Sequence, residues 1–259
     1  MSATIRLERR DEIAIVSLNR PEKLNALSRA MLGQLTEIFK TLADENSLRA
    51  IILTGAGDKA FSAGTDLSEL IDVPAERARE VADGGQQLCN DVENCGVPVI
   101  AAINGIAAGA GCELALASHL RIASPNASFS LPELKLGSIP GYGGTQRLAR
   151  EVGHGRALEI MLTARAVDSE EALRIGLINR IAPADRLLPE AIRLAHEIAG
   201  LAPLAIRACL QAVTKGSELP LPEGLALEAD LFASLFATQD MREGTRAFLE
   251  KRAPIFKGE

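Results

Sequence analysis

The chain is 259 residues long, 47% hydrophobic and 24% charged, with no tryptophan and only 3% aromatic residues. That length suits one α/β domain with a helical extension, and the shortage of rings leaves the core to Ala and Leu. A net charge of −6 and an isoelectric point of about 5.3, with no long basic run, set the long-range field against nucleic acid and anionic membrane, so any polyanionic ligand needs a local basic pocket.

Ile5 to Leu7 and Ile13 to Leu18 flank a polar Arg9-Arg10-Asp11 turn, which predicts an opening hairpin that Arg20-Pro21-Glu22-Lys23 then breaks. Ser28 is placed to cap a helix carrying Met31, Leu35, Ile38, Phe39 and Leu42 on one face, and Ala50 to Thr54 reads as a buried strand stopped by Gly55-Ala-Gly57. Between Asp72 and Cys95 the periodicity is weak and little motif content appears. Val99 to Ile103 predicts a strand, Gly109-Ala-Gly111 a helix start, and Leu120 to Ala123 another strand. Helices dominate after Thr145: around Ala157 to Leu162, from Asp168-Ser169 to near Gly176, and at Leu187 to Ala199, Pro203 to Val213 and Leu225 to Phe236. Only Ile178 to Ile181 reads as a late strand. This order predicts a layered, largely parallel α/β core over 1–195 and a helical region over 196–259.

Two glutamates sit where a carboxylate is useful. Glu113 follows the glycine-rich opening of a helix, whose unpaired N–H groups can stabilise an oxyanion, and Glu133 follows Pro132 on a stiffened turn. An acid, a base and an oxyanion site together suit addition or removal of water beside a carbonyl. Cys89, Cys95, Cys112 and Cys209 lack a CxxC spacing, and His119, His154 and His196 are scattered, so no metal site is expected and the thiols are read as small buried groups. The motifs of serine hydrolases, P-loop NTPases and dinucleotide oxidoreductases are missing. The N-terminus carries no apolar h-region and no apolar run reaches the roughly 18 residues of a membrane span, which predicts a cytoplasmic protein without a targeting peptide.

Six ordered blocks make the chain resemble an enoyl-CoA hydratase of the crotonase superfamily: Leu18 to Leu27, Ala60 to Leu67, Pro98 to Gly105, Gly109 to Ala115, Leu131 to Glu133, and Gly137 to Leu148. The resemblance implies a spiral of ββα units with a C-terminal helical trimerisation region, a homotrimer or dimer of trimers, and an acyl-CoA thioester as substrate. It implies no metal or redox cofactor, coenzyme A being part of the substrate. The backbone amides of Thr65 and Ala110 match the pair that holds the thioester oxygen; many relatives carry alanine and glycine there, and both changes keep the amide while narrowing the space above it. Glu113 and Glu133 match the two catalytic glutamates. Glu113 would take a proton from the water attacking C3, and Glu133, protonated beforehand, would protonate C2. Like charge around a shared water should raise one of their pKa values.

The same resemblance assigns Ala63, Asp66 and Leu67 to the thioester and pantetheine, Lys23 and Leu24 to the CoA channel, Gly109 and Pro132 to the substrate's surroundings, and Gly141 and Tyr142 to the acyl pocket wall. Arg20 and Lys23 are candidate phosphate partners in an acidic chain, and Phe248 and Lys251 of the last helix could reach a neighbouring active site. Alternatives within the superfamily are an isomerase shifting the double bond and a hydratase of cyclic or dienoyl thioesters. A crotonase-like RNA-binding or scaffolding protein is the non-enzymatic alternative, disfavoured by the net charge.

Overall fold

The computed structural model describes residues 3–259. Strands β1 (Ile5–Arg10) and β2 (Ile13–Leu18) form the opening hairpin, helix α1 (Arg29–Ala43) follows, and β3 (Ala50–Gly55), β4 (Ala60–Ser62) and α2 (Ala78–Glu93) make the first ββα unit. The second is β5 (Val99–Ile103), β6 (Ile106–Ala108) and α3 (Ala110–Ala117); the third is β7 (Leu120–Ala123), β8 (Ser128–Ser130) and α4 (Gly144–Val152). After α5 (His154–Thr163) come β9 (Val167–Asp168), α6 (Ser169–Arg174), β10 (Arg180–Ile181) and four helices: α7 (Leu187–Ala199), α8 (Pro203–Gly216), α9 (Leu221–Leu235) and α10 (Gln239–Glu250).

In each unit the first strand joins a six-stranded sheet of order β1-β2-β3-β5-β7-β10, and the second joins a four-stranded sheet of order β4-β6-β8-β9. The large sheet is parallel except for the β1–β2 hairpin. Its inner strands read as continuous apolar runs because both faces are covered. Ala14, Val16, Ile51, Leu53, Val99 and Ala101 face the main core with α1, α2 and α3, whereas Ile13, Ile15, Ala50, Ile52, Ile100 and Ala102 face Leu187, Ala191, Leu194 and Ala195 of α7. Burying each large aliphatic side chain stabilises by about 1.5–3 kcal/mol, so α7 belongs to the sheet energetically as well as spatially.

Local capping follows the sequence. The Ser28 side chain accepts from the Met31 N–H, and Asp168 accepts from the Glu171 N–H. Some boundaries differ from expectation. Arg9 and Arg10 belong to β1, an edge strand whose residues after Ile5 are all exposed, and the turn is moved to Asp11, which adopts φ 52°. The late strand shrinks to Arg180–Ile181, since Asn179 instead bonds Arg121 from both sides of its chain: its side chain accepts the Arg121 N–H and its own N–H donates to the Arg121 carbonyl. The weakly periodic stretch after Asp72 is mostly helix α2, and only Gly85, Leu88, Cys89 and Val92 of it are buried. Cys209 departs from the buried-thiol expectation: it lies exposed on α8, a helix with no buried residue, while Cys89, Cys95 and Cys112 are buried.

Candidate active site

Helix α3 is buried along its whole length, and Glu113 is its only charged residue. A carboxylate in such a place must be held by something. Its Oε1 accepts the Tyr142 N–H at 2.8 Å and the Gly144 N–H at 2.7 Å, while 2% of the residue is exposed. Burial nonetheless pushes its pKa up to about 7; the two N–H bonds and Arg147 oppose the rise, and the charge of Glu133 adds to it.

Glu133 starts a 3-10 turn, Glu133–Leu136, directly after half-buried Pro132. Gly109 shows where its carboxyl lies. At φ 51° and ψ −127° it holds a conformation that suits glycine, and a Cβ there would stand 2.8 Å from Glu133 Oε1. Glu133 Oε2 is buried without a hydrogen-bond partner. Burial raises this pKa as well. The sequence led us to expect like charge as the cause of a raised pKa; burial is the larger cause at both glutamates.

The two proposed amides meet beside this pair. Leu27 pairs in parallel with Thr65 through the bonds Leu27 N–H to Gly64 O, 2.7 Å, and Asp66 N–H to Leu27 O, 2.9 Å, so the Thr65 N–H points away from Leu27. Gly64, at φ 100°, lies against the start of α3, where a Cβ would stand 2.8 Å from Ala108 O and 3.4 Å from Ala110 N. Ala110 opens α3, and its N–H has no intrahelical carbonyl to meet. Among the described residues neither of these two N–H groups bonds to a backbone carbonyl. Two unpaired donors, one at a helix N-terminus, suit an oxygen that gains negative charge.

The remaining residues divide. Ala63 is bound through its N–H to Leu24 O at 2.9 Å, with Leu24 itself at φ 50°, so these two are neighbours; Lys23 and Leu67 are exposed. Asp66 is a brace: one oxygen pairs with Arg20 at 3.0 Å and the other accepts the Ser68 hydroxyl at 2.7 Å, and these bonds hold its pKa down. Arg20, which also donates to Ala26 O, is thereby committed within the protein rather than free for phosphate. Gly141 uses its carbonyl to hold Gln86 of α2, and the Tyr142 hydroxyl lies 3.4 Å from Thr65 Oγ1. From Thr65 and Tyr142 a cleft of about 590 Å³ opens between α1 and α2. Its walls include Leu32, Leu70 and Val81, and its rim carries Arg29, Glu37 and Arg77. Among the described residues no group of three His, Cys, Asp or Glu side chains could hold a metal ion, and no single helix is long and apolar enough to cross a membrane.

Sequence reasoning missed α2 as a cleft wall and Arg147 as a partner of the Tyr142 loop. Arg147 lies inside the block that carries the resemblance, but its partner Glu93 is 54 positions away and no local spacing signals the pair.

A carboxyl pair beside two unpaired amides, on ββα units that feed two sheets, is the arrangement of a crotonase-type fold. The chain belongs to the enoyl-CoA hydratase/isomerase family, whose model matches residues 8–259. It is 41% identical over 250 residues to a crotonyl-CoA hydratase of Syntrophomonas wolfei, covering 96% of each chain, and 40% identical over 246 residues to a short-chain-enoyl-CoA hydratase of Clostridium acetobutylicum, covering 95% of this chain and 94% of that one. The crystal structure of an enoyl-CoA hydratase from Bacillus anthracis superposes with a TM-score of 0.96 at 41% identity, over 99% of this chain and 100% of that one.

Proposed function

We propose that the protein is an enoyl-CoA hydratase that adds water reversibly, in syn fashion, across the 2,3 double bond of an enoyl-CoA thioester. It is a hydro-lyase, and the family and its named relatives support that reading. The observation that carries the chemistry is the unequal setting of the two glutamates. Glu113, held by two N–H donors, takes the proton from water attacking C3; Glu133, with an unpartnered buried oxygen, delivers a proton to C2. Each carboxyl's charge raises the pKa of the other, so the pair holds one proton more readily than two separate carboxylates would. The Thr65 and Ala110 amides stabilise the thioester oxygen as the enolate forms.

The acyl chain extends from Tyr142 into the cleft between α1 and α2, and the CoA moiety lies over Leu24, Ala63 and Leu67, with Lys23 at the rim. Gly33 and Gly84 keep that cleft wide, because a Cβ at either would meet nothing within 4 Å. No metal or redox cofactor enters this scheme, and nucleic acid is not a partner of so acidic a chain. We read the enzyme as a cytoplasmic protein, and as a homotrimer or dimer of trimers on the strength of the apolar side chains exposed on and just after α9 and on α10, among them Leu225, Phe232, Phe236 and Phe248.

The test is turnover of 2-enoyl-CoA thioesters by the purified protein in labelled water. The conjugated absorbance should fall, with one 3-hydroxyacyl product carrying solvent oxygen, and the matching 3-enoyl-CoA should react far more slowly. Efficient conversion of the 3-enoyl to the 2-enoyl thioester, with no hydroxyacyl product from any acyl group, would replace the hydratase with an isomerase.

A further inference from the structure

Arg147 touches neither unpaired amide nor either carboxyl of the glutamate pair, yet it grips the loop that holds one of them. Its Nη1 donates to the Tyr142 carbonyl at 3.2 Å, and the N–H of that same residue donates to Glu113 Oε1 at 2.8 Å. The fork is fixed from the other side by α2. Nε and Nη2 meet the two oxygens of Glu93 at 3.2 and 2.7 Å, and Nη2 also donates to Asn90 Oδ1 at 2.8 Å. The guanidinium side chain is 12% exposed, so this is a shielded, two-pronged ion pair rather than a surface contact.

The segment between them is anchored at one ring, that of Tyr142, which is buried in the main core against Gly85. Gly141 to Gly144 contains three glycines in four residues, with Gly143 at φ 107°, and Gly144 begins α4 with its N–H also on Glu113. A loop of that composition has many conformations available unless something restrains it. Besides Glu113 and the α4 N–H groups on Gly143 O, two side chains outside it hold its carbonyls: Gln86 holds Gly141 O, and Arg147 holds Tyr142 O. Only the second is charged and shielded.

We propose that Arg147, anchored by Glu93, is a positioning residue for Glu113: by gripping the Tyr142 carbonyl it keeps the Tyr142 and Gly144 N–H groups on the carboxylate and fixes the direction of the oxygen that takes the proton from water. The assignment rests on the hydratase reading for what the carboxylate does, but not for how it is held. The titratable and charged groups around Glu113 are Glu133, Cys112 of its own helix, Cys89 of α2, Tyr142 and Arg147. Both thiols are pushed up by burial, Cys89 to about 12, and burial raises the Tyr142 phenol, so all three stay neutral near pH 7. Arg147 is therefore the cation that faces Glu113, with Glu93 neutralising it from behind.

Arg147→Gln removes the charge and the grip, Arg147→Lys keeps the charge and loses the fork, and Glu93→Gln frees the charge and slackens the anchor. Two readouts are needed: the pH profile of kcat/KM on a 2-enoyl-CoA, and the titration of Glu113 by carboxyl-carbon NMR, assigned by its disappearance in Glu113→Gln. Arg147→Gln should lower kcat about ten- to a hundredfold, the cost of a misplacement near 1 Å, with KM within about twofold. Its acid limb and the Glu113 titration should both move to higher pH. Arg147→Lys should lose kcat while leaving the limb near its wild-type position, and Glu93→Gln should move the titration to lower pH. A Glu113 titration and kcat unchanged in all three variants would overturn the proposal, and so would an unchanged pair in Arg147→Lys and Glu93→Gln if Arg147→Gln does not fold. Because the NMR titration needs no turnover, a protein that fails to hydrate any thioester would sink the functional reading while still deciding this one.

Discussion

The segment from β6 to α4 and the pair α8–α9 differ most in what they bury. In the first, α3 has no solvent face, and two carboxyl groups and the Ala110 amide are packed into one place, with the Thr65 amide of the loop after β4 brought beside them. In the second, neither helix has a single buried residue, and Phe232 and Phe236 stack edge-on, 5.0 Å apart, on an exposed face. The candidate catalytic groups are thus gathered in one part of the chain, whereas the tail is a set of apolar faces left exposed. Activity should respond to single atoms in the first region and to assembly in the second.

The contrast is sharpest at the glutamates. Glu113→Gln and Glu133→Gln should each reduce hydration by about two to four orders of magnitude, the usual contribution of a general acid or base, with thioester binding largely retained in equilibrium titrations. Near-wild-type turnover by either variant would remove that residue from the mechanism.

Next in size is a stability effect of opposite sign. The Glu113 pKa is raised in the folded protein, so its contribution to stability is fully present below the ordinary carboxylate pKa and is lost as pH rises through about 7. Glu113→Gln, whose amide oxygen can still accept from Tyr142 and Gly144, should therefore be the more stable protein at pH 8, by up to about 3 kcal/mol, and show no advantage at pH 4. Urea unfolding at the two pH values checks this; a variant less stable at both would mean the carboxylate is not strained by its burial.

Smaller changes belong to the cleft and the tail. Gly84→Val should lower kcat/KM for long or branched enoyl thioesters by about tenfold or more while sparing the four-carbon substrate, an effect of the size a hydrophobic pocket usually exerts. Equal losses across chain lengths would place the acyl group elsewhere. Phe232→Glu with Phe236→Glu should shift sedimentation toward monomer and leave the thermal unfolding of the sheet core little altered. A monomeric wild-type protein at micromolar concentration, fully active, would contradict the role given to the tail.

Much of this was legible before the structure. The strands at 50–54 and 99–103 are apolar runs because α7 covers one sheet face and α1 to α3 the other, and Ser28 and Asp168 announce their helices by capping chemistry. The glutamates stood out because Glu113 follows the glycine-rich opening of a helix and Glu133 follows Pro132 on a stiffened turn. What could not be read depends on distance along the chain. Strands β4, β6 and β8 have three residues each, too few to show a period. Helix α2 spends one of its four buried positions on Gly85, where any side chain would collide with the Tyr142 ring, so its apolar stripe looks broken in sequence. The Arg20–Asp66 and Arg147–Glu93 pairs join residues 46 and 54 positions apart, and only the folded sheets bring them together.

The central claim is that the two glutamates do different proton work because their surroundings differ. The pH dependence of kcat/KM for hydration, measured in wild type, Glu113→Gln and Glu133→Gln, tests it most directly. A bell is expected for wild type, its acid limb reporting ionisation of the base Glu113 and its basic limb loss of the proton from Glu133, the two titrating as a coupled pair. Residual activity should lose the acid limb in Glu113→Gln and the basic limb in Glu133→Gln; the same bell, merely lowered, in both variants would contradict the division of labour.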